Sequence, residues 1–268
     1  MISLPRKVLA IVAHPDDMEF FAGGTVRKMT QEGGEVREII VTDGERGSYE
    51  LTSEELIERR REEALKAAEV LGVRSVTFLG YPDGMLADHR FNEIRERIMT
   101  QMRKRRPDAI ITWDPFASFE THPDHRITGM AATEAASFAG LPLYHPEQVA
   151  VKAKLPNITR SYYIAKQHVD ANEVVDITGQ IKDKIKALCC HRTQMEFLVA
   201  GALLALKAQK VRPSLYNKTD PKRYRTVVDA AVRRMNSQIG KRIGVKYAEE
   251  FRATRADETA RLLGIGRR

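Results

Sequence analysis

The chain has 268 residues, of which 44 are Lys or Arg and 36 are Asp or Glu, so its formal net charge is +8. With 43% hydrophobic and 30% charged residues, the composition is typical of a folded globular protein and excludes a disordered one. Two adjacent cysteines, Cys189 and Cys190, exclude a disulfide framework or a cysteine-rich zinc finger. No apolar run approaches the roughly 20 residues that span a bilayer, and the first residues lack a signal-peptide pattern, so we expect a cytoplasmic protein.

The first 115 residues alternate strand-like and helix-like segments. Apolar runs predict strands over 7–13, 35–42, 75–79 and 109–113. Helices are predicted between them: one after Gly23 and Gly24, one from Thr52 to Gly72 and one over about 92–106. Thr52 with Glu55 three residues later forms a capping-box pattern, and Gly72 is typical of a helix C-terminus. This order predicts an α/β, Rossmann-like parallel sheet with helices on both faces.

The second half of the chain has a less regular pattern. A small-residue-rich helix is predicted over 126–140, and two short strands over 161–165 and 173–177. Thr178 is predicted to cap a helix ending near Cys190, followed by a helix over 194–210 and a basic amphipathic segment from Thr226. Because no repeat, low-complexity segment or linker interrupts the chain, we predict a single domain over residues 1–268.

Polar residues follow each of the first four predicted strands. These segments are 14–17 (HPDD), 43–44 (DG), 82–84 (PDG) and 114–125, which ends in HPDH. In open parallel sheets, ligands bind beyond the carboxyl ends of the strands. The four segments therefore predict one site at one edge of the sheet.

Histidine and aspartate side chains at this edge form a donor set for a metal ion. His14, Asp17 and His125 would supply the three protein ligands of a catalytic zinc site, leaving a fourth position for water. Bound zinc lowers the pKa of its water to about 7. Asp16 is then the candidate general base, and His122 the candidate for stabilising an oxyanion or donating a proton.

A different metal chemistry uses overlapping residues. His14 and Asp16 with a distant histidine also fit a 2-His-1-carboxylate iron site. The oxygenases that use such sites are usually β-sandwiches, whereas this chain is predicted to be parallel α/β. The identity of the bound metal and a dependence on oxygen would separate the two.

A binding module without hydrolase activity is the second alternative. Gly23 and Gly24 at a helix start could receive a nucleotide phosphate, and the basic runs Arg59–Arg61, Arg103–Arg106 and Lys222–Arg225 could contact nucleic acid. However, no G-x-G-x-x-G or P-loop motif is present. The first run lies on a glutamate-rich helix, where ion pairs with the glutamates explain it. The second run closes a helix, where positive charge favourably faces the helix dipole. We predict no nucleic-acid partner.

Four ordered segments, HPDDMEFFAGGT, TDGERG, LGYPDGM and HPDH, resemble the LmbE-like (PIG-L) family. The resemblance covers about residues 7–130. It implies a zinc-dependent N-acetylglucosaminyl deacetylase with one zinc ion per chain. The implied substrate is an amino-sugar conjugate or a chito-oligosaccharide, and the implied assembly is a homo-oligomer.

The resemblance also implies roles for individual residues. His14, Asp17 and His125 match the metal ligands, Asp16 the general base, and His122 the residue that stabilises the tetrahedral intermediate.

Four further positions complete the comparison with the family. Arg60 and Asp83 match positions that family members use to bind sugar hydroxyls. Glu120 departs from the family pattern, because some members that act in thiol biosynthesis have a tyrosine there. Glu19, in the first motif, is a candidate for supporting the metal ligands from behind.

Overall fold

Short apolar runs form a central sheet whose strands are covered on both faces. The computed structural model describes residues 4–149, 154–211 and 224–255. Val8 to Val12 are all 3% exposed or less, which explains why this strand is a continuous apolar run rather than an alternating one. Within these described ranges the sheet has seven strands: β1 (Lys7–Val12), β2 (Glu35–Thr42), β3 (Val76–Tyr81), β4 (Ala109–Trp113), β5 (Arg160–Ile164), β6 (Glu173–Asp176) and β7 (Ala248–Arg255).

The strand order is β3-β2-β1-β4-β5-β7-β6. Strands β1 to β5 pair in parallel, and β7 runs antiparallel to both β5 and β6. The chain order reverses between β1 and β4, so the connections leave these two strands toward opposite sides. Such a switch point opens a crevice at the carboxyl ends of the two strands.

Helices cover both faces of the sheet and enclose two apolar cores. The helices are α1 (Asp17–Gln31), α2 (Ser53–Leu71), α3 (Phe91–Arg105), α4 (Pro123–Phe138), α5 (Ile181–Leu188), α6 (Arg192–Ala208) and α7 (Tyr224–Lys241). Side chains of α1, α2, α5, α6 and α7 share one core with alternate residues of β1, whereas α3 and α4 share the other core with the remaining ones. The predicted α/β fold with helices on both faces is confirmed; the single-domain assignment over 1–268 stays a prediction.

The predicted capping box at the start of α2 is present. Thr52 Oγ1 accepts a hydrogen bond from the Glu55 N–H at 3.3 Å, and Glu55 Oε2 accepts one from the Thr52 N–H at 3.1 Å. Gly72 ends the helix with φ 76°, in the left-handed region that glycine adopts without steric cost.

Three sequence predictions about the elements are wrong. Helix α1 begins at Asp17, so Gly23 and Gly24 lie inside the helix and do not precede it. Helix α5 begins at Ile181, and Thr178 does not cap it; the Thr178 hydroxyl instead accepts from the Tyr247 N–H at 3.2 Å. The sheet is mixed and not wholly parallel, because a strand that the sequence pattern does not predict, β7, runs antiparallel to β5 and β6. Its charged sequence, AEEFRATR, conceals the apolar alternation of a strand.

Among the residues that the structure describes, no helix is both long enough and apolar enough to pass through a bilayer.

Candidate active site

The predicted site residues meet at the crevice between β1 and β4. His14 and Asp16 follow β1, Asp17 opens α1, Asp83 follows β3, Arg60 reaches in from α2, and His122 and His125 lie at the start of α4. Helix α4 lies directly on the end of β4. A Cβ at Gly129 would lie 2.4 Å from the Trp113 carbonyl oxygen, so only glycine permits this approach. The close packing brings the start of α4 toward β1.

Three of these side chains present donor atoms to one another. His14 Nδ1 lies 3.1 Å from His125 Nε2, and each nitrogen lies 3.6 Å from an oxygen of Asp17. Ligand atoms at the usual bond length from a tetrahedral zinc ion are separated by roughly 3.3 Å. The two imidazole nitrogens are close to this spacing, and the two Asp17 oxygens lie slightly farther away, Oδ2 toward His14 and Oδ1 toward His125. The donor set is therefore of the right kind to hold such an ion.

Other groups share this space. His14, His122 and His125 offer nitrogen atoms within 4.8 Å of one another, and so do donor atoms of the set His14, Asp83, His122 and Asp124. The His14 Nε2 and His125 Nδ1 atoms are buried and lack a hydrogen bond of good geometry.

Trp113, the last residue of β4, orients two of the three donors. Its indole Nε1–H donates to Asp17 Oδ2 at 2.8 Å, and the His14 N–H donates to the same oxygen at 2.8 Å. The indole ring also stacks on the His125 imidazole, with centroids 3.7 Å apart. From the sequence, Trp113 is interpreted as a packing residue at the end of a core strand or as a sugar-stacking one; an apolar strand gives no sign of its polar contact with Asp17.

Asp124, the third residue of the HPDH motif, links α4 to the loop after β3. Its carboxylate accepts from the Gly84 N–H at 2.6 Å and the Leu86 N–H at 3.2 Å, and Oδ2 lies 3.4 Å from His14 Nε2. Asp83 Oδ1 lies 3.2 Å from the same nitrogen. Two carboxylates therefore face the outer nitrogen of His14.

Asp16 is held in a backbone conformation that is rare for a residue with a side chain. Its φ is 108°, and such strain costs of order 1–3 kcal/mol. Arg60 Nη2 donates to Asp16 Oδ1 at 3.2 Å and to the Pro15 carbonyl at 2.6 Å, while Nη1 donates to the Gly44 carbonyl at 2.7 Å. Arg60 therefore fixes the Asp16 side chain and joins the loops after β1 and β2.

His122 is the N-cap of α4, which fixes the use of its two ring nitrogens. Nδ1 accepts from the Asp124 N–H at 3.3 Å, so in the neutral ring the hydrogen is on Nε2. The ring lies over that of His125, with centroids 4.5 Å apart, and meets the edge of His14 at 4.5 Å. His122 can thus present an N–H donor beside the donor set.

Burial and neighbouring charges move the three imidazoles in different directions. Burial lowers the pKa of His125 to about 4 and also lowers the pKa of His122. Burial alone would lower the pKa of His14 as well, but neighbouring carboxylates, that of Asp124 foremost, outweigh it and raise the pKa.

The two adjacent carboxylates also differ. Burial raises the pKa of Asp16 to about 7, although Arg60 opposes the rise. Burial would also raise the pKa of Asp17. The charge of His125 and the contacts with His14 have the larger effect, however, and lower the pKa of Asp17. Neighbouring aspartates of one motif are thereby set to different proton affinities, which suits a base beside a ligand.

A second group of buried ionisable residues lies behind the site. His191 Nε2 is 3.4 Å from Glu19 Oε2, and both side chains are 1% exposed. Glu38 of β2 is also buried, and burial, reinforced by the charge of Glu19, raises its pKa well above the usual value. Glu19 thus contacts His191, and no hydrogen bond or ion pair joins it to the donor set within the described residues.

Arginines of the first two basic runs bind acceptors within the chain. Arg61 Nη2 donates to Asp43 Oδ1 at 2.9 Å. Arg103 is buried, and its guanidinium donates to the carbonyls of Ala139, Leu141, Tyr144 and His145. The run 222–225 begins outside the described residues.

The phosphate-binding interpretation of the two glycines is wrong. The Gly24 N–H donates to Glu249 Oε1 at 2.9 Å, in the middle of α1, and a carboxylate in this place excludes a phosphate.

Comparison with known proteins places this fold and site in one family. The PIG-L model, described as GlcNAc-PI de-N-acetylase, matches residues 9–136. Diacetylchitobiose deacetylase from Thermococcus kodakarensis is 37% identical over 193 residues, which are 70% of this chain and 70% of the relative. The chain therefore belongs to the PIG-L family, as the sequence motifs predicted.

Two further relatives extend the comparison over more of the chain. The 1D-myo-inositol 2-acetamido-2-deoxy-alpha-D-glucopyranoside deacetylase from Rhodococcus erythropolis is 26% identical, with 80% of this chain and 90% of the relative covered. The structure of N,N'-diacetylchitobiose deacetylase from Pyrococcus horikoshii, in complex with its inhibitor MPG, has a TM-score of 0.75 and 30% identity. The match covers 94% of this chain and 84% of that one.

Proposed function

We propose that the chain is a metal-dependent hydrolase that removes the acetyl group from an N-acetylglucosamine-containing small molecule. The observation that carries this proposal is the donor set of His14, Asp17 and His125 with Asp16 beside it, in a chain whose relatives are deacetylases of acetamido sugars. The substrate is a sugar conjugate or a chito-oligosaccharide.

We propose zinc as the metal, held by His14, Asp17 and His125. Two imidazoles and one carboxylate are typical of catalytic zinc sites. When bound, zinc supplies a water of lowered pKa and polarises the acetamide carbonyl. An iron ion could use the same kinds of donor, and metal analysis of the purified chain distinguishes the two.

Asp16 and His122 then carry the proton transfers. Asp16, held by Arg60, takes a proton from the water that attacks the acetamide carbon. His122 donates a hydrogen bond from its Nε2–H to the carbonyl oxygen as negative charge develops there. The C–N bond breaks when the leaving nitrogen receives the proton that Asp16 took from the water, or a proton from His122 in its protonated form, which yields acetate and the free amine.

Arg60 and Asp83 are proposed to bind sugar hydroxyls. Arg60 is 2% exposed, and three of its five N–H groups are used by Pro15, Asp16 and Gly44. Two remain, the Nε–H and one Nη1 hydrogen, and the Nη1 hydrogen is proposed to bind a hydroxyl. The Asp83 carboxylate, beside His14, accepts from a second hydroxyl.

We further propose a cytoplasmic homo-oligomer. The adjacent free thiols of Cys189 and Cys190 suit a reducing compartment. Light scattering on the purified chain measures the assembly, and fractionation of the source cells tests the compartment.

The nucleotide- or nucleic-acid-binding alternative has lost its supporting features. Gly24 binds Glu249. Arg60, Arg61, Arg103 and Arg105 of the basic runs bind groups within the chain.

The test is acetate release from a panel of acetamido sugars, with the bound metal measured in the same preparation. We expect acetate from at least one of N,N'-diacetylchitobiose, N-acetylglucosaminyl malate and N-acetylglucosaminyl inositol. A chelator should abolish release, and added zinc should restore it. A preparation that holds no zinc and releases no acetate from any of the three would refute the proposal.

A further inference from the structure

Glu120 faces the outer nitrogen of a proposed metal ligand. Its Oε1 atom lies 3.2 Å from His125 Nδ1, with the two side chains 2% and 6% exposed. The opposite ring nitrogen, Nε2, faces His14 and Asp17. The His125 imidazole therefore has the Glu120 carboxylate on one side and the other two proposed metal ligands, His14 and Asp17, on the opposite side.

The Glu120 carboxylate is fixed by its surroundings. Oε1 accepts from the His122 N–H at 2.9 Å and from Lys166 Nζ at 2.9 Å, and the Glu120 carbonyl accepts from Arg126 Nη1 at 2.7 Å. Lys166 also supplies the positive charge that a buried carboxylate requires. Glu120 is thus held in place from three sides while it faces His125.

In this structure Glu120 Oε1 and His125 Nδ1 are 3.2 Å apart but are not aligned for a hydrogen bond. We propose that Glu120 is a positioning residue that accepts the Nδ1–H of His125 when the metal is bound, and so keeps Nε2 deprotonated and aimed at the metal. This inference rests on the proposed metal site. A neutral imidazole carries one N–H hydrogen. A carboxylate beside one ring nitrogen favours the tautomer in which that nitrogen carries the hydrogen. Metal-binding histidines commonly donate their second N–H to such a partner.

His14 has an equivalent arrangement, which supports the proposal independently. Its outer nitrogen, Nε2, faces Asp83 at 3.2 Å and Asp124 at 3.4 Å, while Nδ1 faces His125. Both proposed imidazole ligands therefore have a carboxylate behind them.

At position 120, where some thiol-pathway members have a tyrosine, this chain has a glutamate, which is a stronger hydrogen-bond acceptor and also carries a charge.

The first test is zinc affinity, measured by competition with a chromophoric chelator. We expect Glu120→Ala to weaken zinc binding about 10- to 100-fold. Glu120→Gln, which keeps an acceptor oxygen but loses the charge, should fall between Glu120→Ala and the unmodified chain. The control is Ser118→Ala in the same loop, where the exposed hydroxyl contacts none of these groups; its zinc affinity should stay within twofold. Unchanged affinity in Glu120→Ala overturns the proposal.

The second test needs no variant and reports the proton directly. In the ¹⁵N-labelled, zinc-loaded chain, the His125 ring should give a metal-bound Nε2 and a protonated, hydrogen-bonded Nδ1. A role in packing alone would not fix this tautomer. A His125 bound through Nδ1, or an Nδ1 without a hydrogen, overturns the proposal while leaving deacetylation intact. Failure of the proposed function instead appears as a lack of acetate release.

Discussion

Two clusters of buried polar side chains lie against α1, and they differ in how far their bonding capacity is used. The catalytic cluster, at the first turn, consists of the buried His14, Asp16, Asp17 and His125 and the half-buried His122. The Glu249 cluster, at the middle of the helix, consists of Glu249, Lys184 and Asn236.

In the Glu249 cluster every strong donor finds an acceptor. Glu249 accepts from the Gly24 N–H at 2.9 Å, the Thr25 N–H at 2.7 Å and Lys184 Nζ at 2.6 Å. In the catalytic cluster the inner nitrogens, His14 Nδ1 and His125 Nε2, face each other at 3.1 Å beside the Asp17 carboxylate, and Asp16 is strained. Burial of charge is common to both clusters. The catalytic cluster differs in two respects: it has polar atoms available to bind a ligand, and the proposed reacting group, Asp16, has a strained backbone.

The largest effect is expected from removing the base in the catalytic cluster. Asp16→Asn should lower the turnover number for acetate release about 10²- to 10⁴-fold, because the amide cannot take the water proton. Zinc content should stay at the unmodified level, since Asp16 is not a proposed ligand. Initial rates and metal analysis measure the two quantities.

The control for Asp16→Asn is Asp183→Asn, which removes the partner of Arg27 at the surface of α5 and should leave the turnover number unchanged. Near-full activity in Asp16→Asn would show that another group is the base.

The next largest effect is expected in the Glu249 cluster, on stability. Lys184→Met should lower the free energy of unfolding by about 3–5 kcal/mol, because it leaves a buried carboxylate without its cation. Denaturant unfolding measures the loss. The matched control is Lys66→Met, which breaks an ion pair with Glu62 whose side chains are 63% and 71% exposed and should cost less than about 1 kcal/mol.

The double variant Lys184→Met, Glu249→Met provides the decisive comparison for this cluster. It should recover part of the lost stability, since it removes the uncompensated charge. Equal losses in Lys184→Met and Lys66→Met would contradict the view that the buried pair is structural.

The sequence predicts the position of the catalytic cluster well and that of the Glu249 cluster poorly, for a physical reason. HPDD and HPDH each follow an apolar strand, and parallel strands bring their carboxyl ends to one edge. The position of His14 therefore follows from a local pattern. The contact between Lys184 and Glu249 joins residues 65 positions apart, through a strand, β7, that alternation does not reveal. The positions of Trp113 and Arg60 are likewise set by packing between elements, which no spacing rule gives.

A smaller effect is expected where Ile177 packs against α1, beside the Glu249 cluster. A Cβ at Gly24 would lie 2.6–2.9 Å from three Ile177 side-chain atoms, so Gly24→Ala should cost about 1–3 kcal/mol of overpacking. Gly23→Ala is the matched control, because its Cβ would meet Lys184 Cγ at 3.4 Å, an ordinary contact. The control should be neutral or stabilise by up to about 1 kcal/mol, as alanine does inside a helix.

Thermal unfolding measures the Gly23 and Gly24 pair of variants. A Gly24→Ala chain as stable as Gly23→Ala would mean that α1 and Ile177 are less closely packed than the structure shows.

The smallest effect is expected at the start of α2, where the polar groups are satisfied but exposed to water. Thr52→Ala removes the acceptor for the Glu55 N–H and should lower stability by about 0.5–1 kcal/mol, because water replaces much of the lost bond. Thr52→Ser keeps the acceptor and should retain the stability.

Position 52 also tests whether the catalytic cluster depends on the helix start. Arg60 lies two turns further along α2 and is fixed by carbonyls of two separate loops. The turnover number of Thr52→Ala should therefore stay within twofold of the unmodified chain. A large loss of turnover with little loss of stability would show that the position of Arg60, and through it that of Asp16, is set by the first turn of α2. The carbonyl contacts alone would then be too weak to hold the base, Asp16. The first turn of α2 would have to be counted with the catalytic cluster, because it would help to position Arg60.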